Sequence, residues 1–377
     1  MELTDQSAAN LALIELAALA PHASPPIDID GLTLDLARPT PVYDLDGDEI
    51  FRRIPLRSTK LTGYMDVASQ PFLGSPLLSV VTGTTWDESA ILAGLDANGY
   101  RLATEEAHFI ASRYPNLALA LHRAHEDGEP RLRDIQTLAT METYETLAGD
   151  FYPSQLFSAS DLWPPRLRAR RAAAYFAVAG AVVARYGMVL AEAGPVAALR
   201  AFAPSSPLQV SAKHLPNCAT SGESACFSPE TEAEKPWCVA ACVQMVLEYF
   251  GIAAPQDGLA GQLGLGPQND PIFMPCGTEF KVITTIESQS QAKLHAEMNT
   301  CPITFWDAMV QEINSGRPAI LMANGHARIV TGYNILHFGL DDGLRLLSLY
   351  DPEGHPVPFE LYQNLNYAML ITCRPAR

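Results

Sequence analysis

Two segments about ninety residues apart hold the residue types that thiol chemistry needs. The first is Pro236-Trp237-Cys238-Val239-Ala240-Ala241-Cys242-Val243, running on to Phe250-Gly251; the second is Gly325-His326-Ala327-Arg328-Ile329-Val330-Thr331-Gly332-Tyr333. A cysteine nucleophile attacks as the thiolate, and an adjacent imidazole must generate and hold that thiolate. Val239, Cys242, Val243, Val246, Leu247 and Phe250 recur at intervals of three and four, the stripe of a buried helix. Pro236 suits its first turn and Gly251 its end. Cys238 is therefore expected where unpaired backbone N–H groups and the positive end of the helix dipole favour an anion. The same amides are placed to donate to a developing oxyanion.

The second segment reads as a strand. Ala327 to Leu336 is β-branched and apolar, Gly339 to Gly343 carries turn residues, and Leu344 to Tyr350 returns as a second apolar run. In such a hairpin His326, at the start of the outgoing strand, lies opposite Asp351 at the end of the returning one. Cys238, His326 and Asp351 then fill the roles of nucleophile, base and orienting acid.

On these residues the chain resembles the papain-like cysteine peptidases, particularly the free-standing bacterial relatives of the double-glycine leader peptidases. Trp237-Cys238-Val239-Ala240-Ala241, Gly325-His326 to Gly332-Tyr333, and Tyr350-Asp351-Pro352 match that group's pattern in order, as does the Ser315-Gly316-Arg317-Pro318 entry to a strand. The similarity runs from about Gln209 to Cys373. It implies an α+β fold in which the nucleophile helix packs on an antiparallel sheet, and a peptidase that acts on a peptide or protein without a cofactor or metal. Members of the group place a Gln shortly before the Cys to complete the oxyanion hole. Glu232, Ala233, Glu234 and Lys235 stand there in this chain, and Gln209 is the nearest upstream candidate.

Other readings use the same residues. Cys242 is an alternative nucleophile, with Cys238 structural, although its place on the apolar stripe suits a buried thiol. If an amine rather than water takes the acyl group, the product is that of an acyltransferase or transglutaminase; an amidase or deamidase shares the same triad. A catalytically inert binding domain is a further alternative. A structural zinc site would draw on His214, Cys218, Cys226, Cys238 and Cys242, but only the last two approach the spacing of zinc-binding pairs.

Composition bounds these readings. The 377 residues suffice for two or three domains, and a formal charge of −17 disfavours nucleic acid and anionic lipid as general partners. All seven cysteines lie between Cys218 and Cys373. The division expected is a mainly helical N-terminal domain over 1–203, a flexible connection over 204–236 containing Pro204-Ser205-Ser206-Pro207, and a catalytic domain over 237–377. The acidic N-terminus lacks the basic start of a secretory signal, so a cytoplasmic protein with free thiols is expected; Cys218 and Cys226 are spaced to pair if it is exported.

In the N-terminal half an amphipathic helix is expected through Leu19. Further helices are expected near Asp87 to Ala97, Thr104 to Glu126, Arg131 to Asp150 and Pro165 to Phe202. Asp44-Leu45-Asp46-Gly47-Asp48-Glu49 lacks calcium-loop spacing and reads as a solvated turn. Ala172 to Leu190 just reaches membrane-spanning length, but its central Arg185 favours a buried soluble helix. His108, His122 and His125 show no metal-ligand pattern.

Overall fold

The computed structural model describes residues 5–29, 32–35, 38–44, 46–113, 116–123, 130–135, 138, 165–166, 168–173, 175–176, 179–180, 209–216, 218, 226–233, 236–268, 274, 278–323, 326–337, 343–362 and 369–376. It divides into two compact units, Met1–Val210 with Leu336–Leu344, and Ser211–Ile335 with Arg345–Arg377.

The first unit opens with α1 (Asp5–Leu19). Leu11 and Leu13 stand about 200° apart around a helix and both are buried, so α1 is enclosed on opposite sides rather than amphipathic. Glu15, buried in α1, accepts hydrogen bonds from the Ser75 hydroxyl at 2.8 Å and the Leu77 amide at 3.1 Å. Nine strands follow: β1 (Thr33–Leu34), β2 (Thr40–Tyr43), β3 (Glu49–Arg57), β4 (Thr62–Ala68), β5 (Leu77–Thr82), β6 (Tyr100–Leu102), β7 (Phe109–Arg113), β8 (Asn116–Arg123) and β9 (Arg131–Asp134). They lie in the order β5-β4-β3-β2-β7-β8-β6, with β1 on β3 and β9 on β8. The β2–β7 pair is parallel and the β2–β3, β3–β4 and β4–β5 pairs are antiparallel. Arg53 binds Asp66 through two buried hydrogen bonds while its guanidinium lies over the Tyr64 and Trp86 rings.

These strands overturn the expectation of a mainly helical N-terminal domain. Of the expected helices, α2 (Glu88–Ala97) forms, capped by Asp87, whose carboxylate accepts from the Ala90 amide. The described residues from 165 to 180 are helical too. Thr104 to Glu126 is instead occupied by β7 and β8, and Arg131 opens β9. In β8, Leu117, Leu119 and Leu121 alternate with Ala118 and Ala120. Leu and Ala favour helix in isolation, and pairing with β6, β7 and β9 decides otherwise. His122 accordingly sits on a strand, opposite Arg101. Asp44 is no solvated turn residue: it is buried and accepts from the Asp46 and Asp48 amides, tying the β2–β3 turn. His125, residues 139–150 and 181–208, and most of Ala172 to Leu190 fall outside the described residues. No helix among the described residues is long and apolar enough to cross a membrane, which says nothing of a β-barrel.

The second unit comprises β10 (Gln209–His214, entering from Ser211), α3 (Cys238–Tyr249), α4 (Gln256–Leu263), α5 (Phe280–Gln289), β11 (Leu294–Asn299), α6 (Pro302–Asn314), β12 (Ala319–Ala323), β13 (His326–His337), β14 (Leu344–Asp351), β15 (His355–Leu361) and β16 (Met369–Pro375). The strands follow the order β11-β16-β12-β13-β14-β15, with β10 on β13. The pairs of β16 with β11 and β12, of β12 with β13, and of β14 with β15 are antiparallel. Helix α3 packs against α4, α5 and β12. This mixed α/β arrangement around an antiparallel sheet is the one expected for the C-terminal part. Gly332 has a steric reason: a Cβ there would stand 2.3 Å from His214 Nδ1 and 2.8 Å from the Lys213 carbonyl oxygen.

Candidate active site

Three element ends meet here. Trp237 is the N-cap of α3, and its indole N–H is spent on the Leu265 carbonyl rather than on the helix. Cys238 is the first helical residue and is 7% exposed; Cys242, one turn on, is 0% exposed. His326 is the first residue of β13, paired with Ala323 across a connection whose sequence, Asn324-Gly325, is the one tight hairpins favour. Asp351 ends β14 and faces His355 across Pro352-Glu353-Gly354. Gly354 adopts φ +95°, the left-handed region that favours glycine, and its amide donates to the Asp351 carbonyl at 3.0 Å.

His326 Nε2 lies 2.9 and 3.0 Å from the two carboxylate oxygens of Asp351 and donates to them. Cys238 stands close enough to the imidazole to interact with it. Asp351 Oδ1 also accepts from the Glu353 amide at 3.0 Å. The structure thus brings Cys238, His326 and Asp351 together. Gln209 opens β10, and its side chain lies outside the described residues.

Burial opposes charge on His326, yet Asp351 and Cys238, by charge and by hydrogen bond, hold the imidazole well above its ordinary range. Burial likewise opposes ionisation of Asp351, but the His326 charge and hydrogen bond, with Arg328 and the Glu353 amide, bring it down to about 2. Cys242 is pushed well above the usual thiol range by burial, then by the charges of Cys238, Asp351 and Glu232, with Arg328 partly offsetting them. The arrangement sets an imidazole that holds its proton firmly beside Cys238 and leaves Cys242 a neutral thiol. Cys242→Ala is expected to lower stability by about 1 kcal/mol or more, read as a lower urea midpoint, while Cys238 keeps its reactivity.

The approach to Cys238 is held at several points. Glu232 donates its amide to the Pro352 carbonyl, and Gln256 bonds both the Ala233 amide and the Thr231 carbonyl. Phe227 packs edge-on against Tyr350, next to Asp351. Just before it, Cys218 and Cys226 are joined in a disulfide, so two of the five ligands considered for zinc are already bonded to each other. Among the described residues no group of three His, Cys, Asp or Glu side chains is arranged to hold a metal.

Sequence reasoning missed one further feature. Arg328, two residues beyond His326, makes two hydrogen bonds to Glu360 at 2.5 and 3.0 Å, both side chains being buried. The available signal was one charge inside each of two otherwise apolar runs, Ala327 to Leu336 and Val357 to Leu361.

Residues 225–368 match the Peptidase_C39 like family. Among solved structures, a double glycine motif protease from an AMS/PCAT transporter, in complex with the leader peptide, is similar at 16% identity. The match covers 40% of this chain and 94% of that one, with a TM-score of 0.29. No curated protein matches the chain.

Proposed function

Since residues 225–368 are related to the papain-like C39 cysteine peptidases, we propose that this unit cleaves peptide or protein amides through a thioester on Cys238. The observation that carries the reading is the buried His326–Asp351 pair, Nε2 to carboxylate at 2.9 and 3.0 Å, with Cys238 beside it at the first turn of α3.

In the proposed steps, Cys238 Sγ, as thiolate, attacks the amide carbon, and the carbonyl oxygen takes the negative charge beside the Cys238 backbone N–H. The C–N bond breaks as the His326 imidazolium gives its proton to the leaving amine. His326, now neutral, takes a proton from water. The hydroxide adds to the thioester, the C–S bond breaks, and thiolate and imidazolium are restored with a free carboxylic acid released. Asp351 holds the ring and balances its charge throughout. None of these steps uses a group from residues 1–203.

Limiting iodoacetamide on the full chain, followed by peptide-resolved mass spectrometry, tests the nucleophile. Cys301 is exposed and free, whereas Cys238 is buried, so access alone favours Cys301. Cys238 is expected to react at least about tenfold faster, because only an activated thiolate reverses that order. Fastest labelling at Cys301 would remove the basis of the reading.

A further inference from the structure

Between β10 and α3 the chain forms a strap, Cys226 to Ala233, that touches the candidate site at the residues on either side of its acid. The Phe227 ring stands 5.9 Å from that of Tyr350, edge to face. The Glu232 amide donates to the Pro352 carbonyl at 2.7 Å. Asp351, between these two contacts, is the residue that accepts from His326 Nε2. The two ends of the strap are tied down by different means. At Ala233 the tie is Gln256 of α4, which accepts from the Ala233 amide and donates to the Thr231 carbonyl, each at 2.8 Å. At Phe227 it is a short bridge to the chain leaving β10: the Phe227 amide donates to the Pro216 carbonyl at 2.6 Å and the Cys218 amide to the Phe227 carbonyl at 3.1 Å. The neighbouring Leu215 amide donates to the Thr331 carbonyl on β13 at 2.8 Å.

Two backbone hydrogen bonds on a single hairpin are marginal in water. Together with burial of the Phe227 ring they must offset the ordering of the strap residues up to Thr231, and these opposing terms are of similar size. The Cys218–Cys226 disulfide, which joins residues eight apart in sequence across this bridge, therefore decides which way the balance falls. Breaking such a cross-link restores the freedom of the open chain and favours release by on the order of tenfold or more. Cys218 is exposed, so a dithiol can reach the bond, whereas Cys238, Cys242 and Cys373 are buried. Release of Phe227 takes away the support on the Tyr350 side of Asp351. The Pro352 side stays held, because Gln256 grips the residues on both sides of Glu232.

We propose that Cys218 and Cys226 are a redox latch: closed as the disulfide, they seat Phe227 against Tyr350 and keep Asp351 in place for His326; opened by a dithiol reductant, they release that end of the strap and slow cleavage. A thiolate of the dithiol attacks one sulfur of the pair, the S–S bond breaks, and a mixed disulfide forms as the other protein sulfur leaves. The second thiolate of the dithiol then displaces the remaining protein sulfur and closes a cyclic disulfide. Two electrons and two protons pass from the dithiol to Cys218 and Cys226. The effect on cleavage rests on the reading of Cys238 as nucleophile; the seating of the strap does not.

The test uses the full chain in three forms: air-oxidised, reduced with dithiothreitol and desalted without oxygen, and reoxidised. The double variant Cys218→Ser with Cys226→Ser is treated identically. Intact mass reports the state of the pair, far-ultraviolet circular dichroism reports folding, hydrogen–deuterium exchange with fragmentation reads the Phe227 and Ala233 amides, and a peptide library reads cleavage. Reduction of the wild type is expected to speed exchange at Phe227 at least about tenfold and to leave Ala233 unchanged. Cleavage is expected to fall at least about threefold, and reoxidation to restore both. The double variant is expected to give the reduced values in every sample. Unchanged Phe227 exchange in the folded, reduced wild type would overturn the proposal. So would unfolding on reduction, which would make the bond a plain structural staple, or a redox response in the double variant, which would place the effect at another cysteine. If no form cleaves any peptide while Phe227 responds, the peptidase reading falls, and control of cleavage with it; if peptides are cleaved equally in both redox states, only the latch falls.

Discussion

Cys238→Ala is expected to lower amide cleavage by at least about a thousandfold, read by mass spectrometry of a peptide library incubated with the full chain. The thiol forms the bond that divides the reaction into two steps, and alanine offers no substitute nucleophile. His326→Ala is expected to cost a similar factor, because the thiol loses its base and the leaving amine its acid. Asp351→Asn should retain part of the activity, since an amide oxygen can still accept from His326 Nε2 while the balancing charge is lost. Cys242 is buried beneath the site and uncharged, so it is not expected to rescue Cys238→Ala. Full activity in that variant would transfer the role to Cys242 or end the hydrolase reading. Complete loss in a folded Asp351→Asn would show that the carboxylate does more than orient the ring.

The second large effect is expected far from this chemistry. Glu15 is wholly buried; burial drives its pKa up to about 8, only partly countered by the Ser75 and Leu77 hydrogen bonds. One carboxyl oxygen has no partner among the described residues. The unfolded chain releases this proton near the ordinary carboxyl value of 4.5 and the folded one holds it to about 8, so stability falls as pH rises between those values. At pH 7 the linkage amounts to about 3 kcal/mol. Glu15→Gln removes it, less roughly 1 kcal/mol for an additional unpaired amide hydrogen, giving a net gain of about 2 kcal/mol. Thermal melts of the two proteins should therefore diverge at pH 7 and above and cross near about pH 5, where the linkage has shrunk to about the 1 kcal/mol cost of the amide. Equal melting temperatures at pH 8 would show that Glu15 ionises in the folded state.

The C-terminal half was legible because its signals are local. Pro236 and Gly251 mark the two ends of α3, the latter with φ +75°, and Gly325-His326 with the β-branched, apolar run after it marks the start of β13. Asp351 could be placed because strand and turn lengths set which residues face each other. The N-terminal half was misread because its strands are specified by partners distant in sequence. Leu, Ala and Arg in β8 and β9 suit a helix as well as a sheet, and pairing rather than propensity resolves the ambiguity. The Arg328–Glu360 pair was hidden for the same reason: each charge is visible in the sequence, while their meeting depends on strand order.

Strand order also governs when chemistry can begin. The position between β11 and β12, one strand in from the edge, is taken by β16, made after every other strand of its sheet. Cys238 leaves the ribosome about ninety residues before His326, and a nascent chain extended past Asp351 still has β12 uncovered on the side that β16 takes and β11 without its neighbour. Nearby chain segments pair early, and those distant in sequence wait for their partners. On the proposed reading the thiol is thus present through much of synthesis before His326 and Asp351 have been made, and the sheet beside them is complete only when Met369–Pro375 pairs with β11 and β12.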